Sequence, residues 1–336
     1  MEVLDLKQKL EENYNISVKS LFKIKNVYKI ESDKKCFCFK VIKYNFGHFL
    51  FIINAMMHLQ KNGFERIPRF YLTKNKSFYI KIENNYGYLT EWINGRECNY
   101  SDNEDLKLAV LKLADLHNKS CNFKVERNMN PRIGWLRWIE IFETRRDEIL
   151  DFKNRMDKKV VKSEFDYKYR EIMEEEIIRA ERAIANLKRS SYVNNMKSSI
   201  LKREFCHHDY AHHNLLLTED KKMYIIDFDY CILDTHLHDL SSIIIRTMKN
   251  GNWSLNKAEK MISWYNSMNL VLLEDLPIMA AFIEFPQAYW QLGIQYYWEK
   301  RPWNLSVFLD KLDKISMDRE ARQEFVEKLI NLKSGD

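Results

Sequence analysis

Cys206-His207-His208-Asp209-Tyr210-Ala211-His212-His213-Asn214-Leu215-Leu216-Leu217, followed closely by Tyr224-Ile225-Ile226-Asp227-Phe228-Asp229, is the stretch on which the fold turns. Its skeleton is H-x-D-x-x-x-x-N, then two apolar runs, then I-D-F. Moving a phosphoryl group from ATP needs a carboxylate beside the attacking hydroxyl and oxygen ligands for magnesium. Asp209 can be the first; Asn214 and Asp227 can be the second. The runs Leu215–Leu217 and Met223–Phe228 predict a hairpin that returns Asp227 to the neighbourhood of Asn214. Taken singly, Asp209 and Asn214 read as turn residues and Asp227 as a strand end. The ordered set is what points to chemistry.

Two more carboxylates follow, Asp234 and Asp239, in Asp234-Thr235-His236-Leu237-His238-Asp239-Leu240. Asp239 stands where an apolar helix is expected to open, so it reads as an N-cap, or as a buried acid bracing the loop. His207, His208, His212 and His213 beside Cys206 raise a zinc alternative. Adjacent histidines point different ways, however, and no C-x-x-C pair accompanies them. His207 reads better as the residue that anchors the loop.

Upstream the chain is strand-rich. Leu21–Glu31 and Cys36–Lys43 carry Val, Ile, Phe and Tyr around the polar turn Ser32–Lys35. Phe49–Lys61 has helical periodicity with Gly63 as a stop. Phe70–Leu72, Phe78–Ile82 and Tyr88–Ile93 read as short strands. From Ser101 the period changes, with a helix through Leu106, Val110, Leu113 and Leu116 capped by Ser101 or Asn103. Trp135–Phe152 and Phe165–Leu187 predict long charged helices, Glu174–Glu176 and Arg179–Arg182 lying on solvated faces. No glycine falls between Gly134 and Gly251, which favours helices through the second half.

The pattern predicts an α+β protein with two lobes: a small antiparallel sheet over 1–94 and a large mainly helical lobe over 95–336. A helical insertion at about 135–190 interrupts the second. At 336 residues, 46% hydrophobic and 30% charged, the chain is long enough for both. A net charge of +6 is too mild for a nucleic-acid-binding composition. No run suits a membrane helix, and the acidic start does not suit a signal peptide. The six cysteines fit buried reduced thiols and synthesis in the cytoplasm.

H-x-D-x-x-x-x-N, I-D-F-D and D-x-x-x-x-D-L resemble the aminoglycoside phosphotransferase and choline kinase superfamily, relatives of protein kinases. Within it, Asn62-Gly63-Phe64, Glu91-Trp92-Ile93-Asn94-Gly95-Arg96 and Phe285-Pro286 through Trp298 resemble the CotS-type spore coat kinase-like family. The resemblance implies a bilobal protein-kinase-like fold, ATP and Mg2+ as cofactors, and an unidentified hydroxyl acceptor. It implies synthesis in the mother cell, residence in the spore coat and other coat proteins as partners. Catalysis falls to Asp209 with His207, metal binding to Asn214 and Asp227, and nucleotide binding to Lys40 and the hinge at Glu91, Trp92 and Ile93.

Two departures from that pattern stand out. The turn that would cover the phosphates, around Leu21–Tyr28, has no glycine. The helix Phe49–Lys61 has no acid to pair with Lys40, so another carboxylate must reach the lysine if it is to be oriented. A pseudokinase serving coat assembly is the alternative these departures raise.

Overall fold

A computed structural model describes residues 3–332. It divides into two compact units, Met1–Arg132 with Phe205–Leu233, and Ile133–Glu204 with Asp234–Asp336.

The first unit is built on an antiparallel sheet. Its strands are β1 (Ser20–Ile24), β2 (Val27–Glu31), β3 (Cys36–Ile42), β4 (Phe70–Tyr71), β5 (Ile80–Ile82) and β6 (Asn85–Glu91), ordered β1-β2-β3-β6-β4 with β5 also on β6. Successive side chains of β3 point to opposite faces. Phe37 and Phe39 face a core with Ile30, Ile80, Ile82 and Leu89. Leu6, Leu10 and Tyr14, from or just past the helix α1 (Val3–Asn13), cover that face. The sequence reading had no element there. Gly87 on β6 is required by this packing, because a Cβ would lie 2.4 Å from Cζ of Phe39. Cys38 and Lys40 lie on the other face, paired across β6 with Thr90 and Tyr88.

The expected strand Leu21–Glu31 is instead the hairpin β1–β2. Ile24 pairs with Val27, and Lys25 turns the chain at φ 53°. Two polar residues with no apolar alternation made the break. Helix α2 (Phe46–Lys61) starts three residues earlier than expected, because the Asn45 side chain accepts a hydrogen bond from the His48 N–H. Helix α3 (Asn103–Ser120) is capped by Asp102, not Ser101 or Asn103; its carboxylate accepts from the N–H groups of Glu104 and Asp105. A second, small sheet joins β7 (Arg96–Glu97), β8 (Leu215–Leu217) and β9 (Met223–Ile225) in that order.

The second unit is helical: α4 (Trp138–Asp157), α5 (Glu164–Glu171), α6 (Met173–Arg189), α7 (Tyr192–Lys202), α8 (Leu237–Met248), α9 (Leu255–Asn266), α10 (Leu276–Glu284), α11 (Gln287–Gly293) and α12 (Leu305–Ile330). Helix α4 cannot begin at Trp135, since Leu136 sits at φ 62°. The single helix expected over Phe165–Leu187 breaks at Ile172, whose ψ of 0° ends α5 before α6 begins. Glu176 and Arg179 are buried as an ion pair rather than solvated; Glu174, Glu175, Glu181 and Arg182 are exposed as expected. Tyr169 and Tyr289 stack at 4.0 Å, and each hydroxyl donates to the other residue's carbonyl. No described helix is long and apolar enough to cross a membrane.

Candidate active site

Every residue of the catalytic segment lies in the first unit. The β8–β9 hairpin pairs Leu215 with Ile225 and Leu217 with Met223. Its open end is closed by the Ile226 N–H, which donates to the Asn214 carbonyl at 2.9 Å. The hairpin therefore holds Asn214 beside the segment that begins at Ile226, as the apolar runs predicted. Tyr210 ties the preceding loop to α3, its hydroxyl donating to the Ala109 carbonyl at 2.9 Å.

Within this frame the polar groups are held one by another. The Asn214 amide donates to the carboxylate of Asp209 at 3.0 Å and to its carbonyl at 2.9 Å. Asn214 is buried, while Asp209 keeps some exposure. His207 is fully buried and its Nε2 donates to the Ile226 carbonyl at 3.0 Å. Its ring packs on Phe228 with centroids 4.7 Å apart. His207 thus fixes the backbone that carries Asp227, which is a positioning role. His208 and Asp227 adopt φ of 67° and 65°, a region that non-glycine residues occupy at a cost of about 1–3 kcal/mol. That conformation aims the Asp227 carboxylate back toward the sheet.

There it meets Lys40. The lysine is 5% exposed, and its Nζ lies 2.6 Å from Oδ1 of Asp227 and 2.6 Å from Oδ1 of Asp229. Burial works against the charge of Lys40, but the two carboxylates outweigh it and hold its pKa above the ordinary lysine value. Burial also opposes the charge of Asp227, yet Lys40 keeps that carboxyl below its usual range. Asp229 goes the other way, raised by burial and by the Asp227 charge beside it. Asp229 is the site residue the sequence reading left without a role. The second acid of I-D-F-D was its only signal.

The stretch Glu91 to Ile93 begins within the sheet. The Glu91 N–H donates to the Arg69 carbonyl at 3.0 Å, and the Glu91 carboxylate accepts from the Arg69 N–H at 3.0 Å. The Trp92 N–H donates to the Cys36 carbonyl at 3.1 Å, while the Lys29 ammonium sits 5.5 Å from the Trp92 ring. Buried Thr90 precedes them, directly across from Cys38. Ile93 is half-buried at the end of this run. His212 and His213 are exposed, so they do not gather with buried His207 and Cys206 around a metal.

Asp239 is not an N-cap. Helix α8 begins at Leu237, and Asp239 is buried inside its first turn with Oδ1 3.1 Å from Nδ1 of His238. In the same unit Asp234 accepts from the Trp138 indole at 2.8 Å. Burial, ahead of the opposing pull of His238, pushes the Asp234 carboxyl up to about 6. Gly134 makes room for it: a Cβ there would lie 2.4 Å from Oδ2.

Comparison with known proteins gives a consistent picture. Residues 7–329 match the family described as "Spore coat putative kinase YutH". The chain is 19% identical to the spore coat protein S of Bacillus subtilis over 320 residues, covering 95% of this chain and 90% of that one. A crystal structure of an aminoglycoside phosphotransferase from Alicyclobacillus acidocaldarius superposes with a TM-score of 0.84 at 19% identity, covering 96% and 95% of the two chains. A spectinomycin phosphotransferase in complex with ADP and spectinomycin gives 0.69 at 14% identity, with 99% of each chain covered. The expected kinase-like α+β fold is borne out.

Proposed function

Because the chain belongs to the YutH spore coat family and has a kinase-like fold, we propose that it is an ATP- and Mg2+-dependent phosphotransferase that acts on a hydroxyl group at the spore coat. The observation that carries this reading is the mutual bracing of Lys40 with Asp227 and of Asn214 with Asp209. Residues 1–94 would serve as the nucleotide-binding lobe and 95–336 as the catalytic and substrate lobe, with the helical insertion at about 135–190.

The donor set suits magnesium. Asn214 and Asp227 offer an amide oxygen and a carboxylate, hard ligands of the kind the ion prefers. Bound there, the ion would neutralise charge on the transferring phosphate. Asp209 orients the acceptor hydroxyl and takes its proton, and Asn214 holds the Asp209 carboxylate in place for that task. Lys40 neutralises the phosphates from the sheet side. His207 keeps Asp227 in register through the Ile226 carbonyl. Adenine would be read by backbone groups of Glu91 to Ile93; the N–H groups of Glu91 and Trp92 already serve the sheet, which leaves the Ile93 N–H as the donor. The relatives named for aminoglycoside and spectinomycin transfer favour a polyhydroxylated acceptor.

The test is calorimetric titration with ATP, with and without Mg2+, on the intact chain and on Asp227→Ala. Magnesium-dependent binding that Asp227→Ala abolishes is expected. Absence of that dependence, with Asp227→Ala binding like the parent, sinks the reading. A radiolabelled-phosphate screen over sugars, amino alcohols and coat proteins then identifies the acceptor. Binding with no transfer to any acceptor would favour the second reading, a nucleotide-binding coat component. The glycine-free β1–β2 turn supports that one.

A further inference from the structure

We infer that Asp229 is the positioning partner of Lys40, taking the part of the acid that α2 lacks. This deepens the phosphotransferase reading and rests on it. In protein kinases a helix glutamate holds the strand lysine, so helix position controls whether the lysine is aligned. Here α2 contains neither Asp nor Glu along its whole length. It reaches the lysine's partner through His48, whose Nε2 lies 3.4 Å from the Asp229 carbonyl oxygen and whose Nδ1 lies 3.3 Å from that of Asn130. The helix therefore supports the backbone at Asp229 and leaves the lysine to the carboxylate.

The two acids around Lys40 are not equivalent. The Asp227 side chain retains 28% of its surface, while that of Asp229 retains 13%. Both carboxylates lie 2.6 Å from the lysine, and Lys40 donates to Asp227. If the more open Asp227 turns to a metal ion, the more enclosed Asp229 is the acid left beside the lysine. Asp229 is also fixed from both sides. It lies in the single helical turn Phe228–Tyr230, closed by the Cys231 N–H donating to the Phe228 carbonyl at 3.0 Å. Lysine and metal ligand are thus aligned by one short segment, with no acid on α2 taking part.

Three variants of the full chain test this: Asp229→Asn, Lys40→Met and the two combined, with Asp229→Glu as the conservative control. Two readouts are taken. The first is acylation of Lys40 by acetic anhydride, followed by mass spectrometry in the absence of nucleotide. The second is affinity for Mg–ATP. Asp229→Asn should raise Lys40 acylation several-fold relative to the other lysines and weaken Mg–ATP binding about tenfold, with no further weakening when added to Lys40→Met. Asp229→Glu should restore most of the protection. Unchanged Lys40 acylation in Asp229→Asn overturns the inference. So does an effect on binding that persists undiminished in the Lys40→Met background, and a raised Mg2+ requirement there would identify Asp229 as a second metal ligand instead. If the parent protein binds no ATP, the phosphotransferase reading fails, and the acylation arm still decides what holds Lys40.

Discussion

Replacing Lys40 by Met removes one cation and leaves two partly buried carboxylates without it. The structure sets the scale of the effect. Breaking a buried ion pair by deleting one partner costs about 3–5 kcal/mol, because the remaining charge is left without compensation. Water reaches part of Asp227, whose side chain keeps 28% of its surface, so the lower end applies, about 3 kcal/mol. The pH dependence follows from the direction of the shifts. In the parent, the raised pKa of Lys40 makes its contribution complete below the ordinary lysine value of 10.5, and it is lost only as pH rises beyond that. At pH 7.5 the parent has all of it. In the variant, Asp227 and Asp229 lose their cation and their folded-state pKa values rise above those of the unfolded chain. The folded state then binds protons first, so the variant gains stability as pH falls. Urea denaturation followed by tryptophan fluorescence should show Lys40→Met about 3 kcal/mol less stable at pH 7.5. At pH 5 the gap should narrow by about 1 kcal/mol or more, one unit of pKa shift being about 1.4 kcal/mol. A variant as stable as the parent at pH 7.5, or a gap independent of pH, would refute the account of the ion pair.

Two further outcomes follow from the packing. Glu204 is opposed by burial, but His236, with Nδ1 3.2 Å away, holds its carboxyl down to about 2 from an ordinary 4.5. The stability it contributes is present above pH 4.5 and drains away as pH falls toward 2, about 2 kcal/mol of it by pH 3. Glu204→Gln should lack that slope in urea titrations between pH 5 and pH 3, and a parallel slope in the two proteins would contradict the pairing. Gly87→Ala drives a methyl into the Phe39 ring and should destabilise by about 1–3 kcal/mol in the same assay. A change below about 0.5 kcal/mol would mean that the ring can move aside.

The parts legible in the sequence were those where local pattern and chemistry coincide. The β8–β9 hairpin could be read because two apolar runs bracket a polar turn, and Asn214 and Asp227 sit at its two ends. The strand bearing Lys40 could be read because a lysine flanked by Phe39 and Val41 breaks an apolar run. Helix α1 could not, since its buried positions Leu6 and Leu10 mark only one i, i+4 turn among charges. The break at Ile172 leaves no mark in composition, because both flanks are good helix formers. Burial of Glu176 and Arg179 was illegible for a related reason. A charged run on an amphipathic helix reads as solvated unless a second helix covers it, and Arg179 also donates to the Glu284 carbonyl, 105 residues on. The role of Asp229 needed three dimensions, because Lys40 lies 187 residues away from the neighbouring Asp227.

The first unit is discontinuous along the chain, and this bears on its birth at the ribosome. Arg96 and Glu97 must wait for Leu217 and Leu216, and the carbonyl of Arg66 waits for the N–H of Ile225. At roughly 5–20 residues per second, translation imposes a delay on the order of ten seconds between the two halves of that sheet. Throughout the interval the larger sheet carries Lys40 on β3 but neither carboxylate. The arrival of Asp227 and Asp229 converts an orphan cation into a closed ion pair, so the same contact that aligns the lysine also marks the moment at which the unit becomes complete.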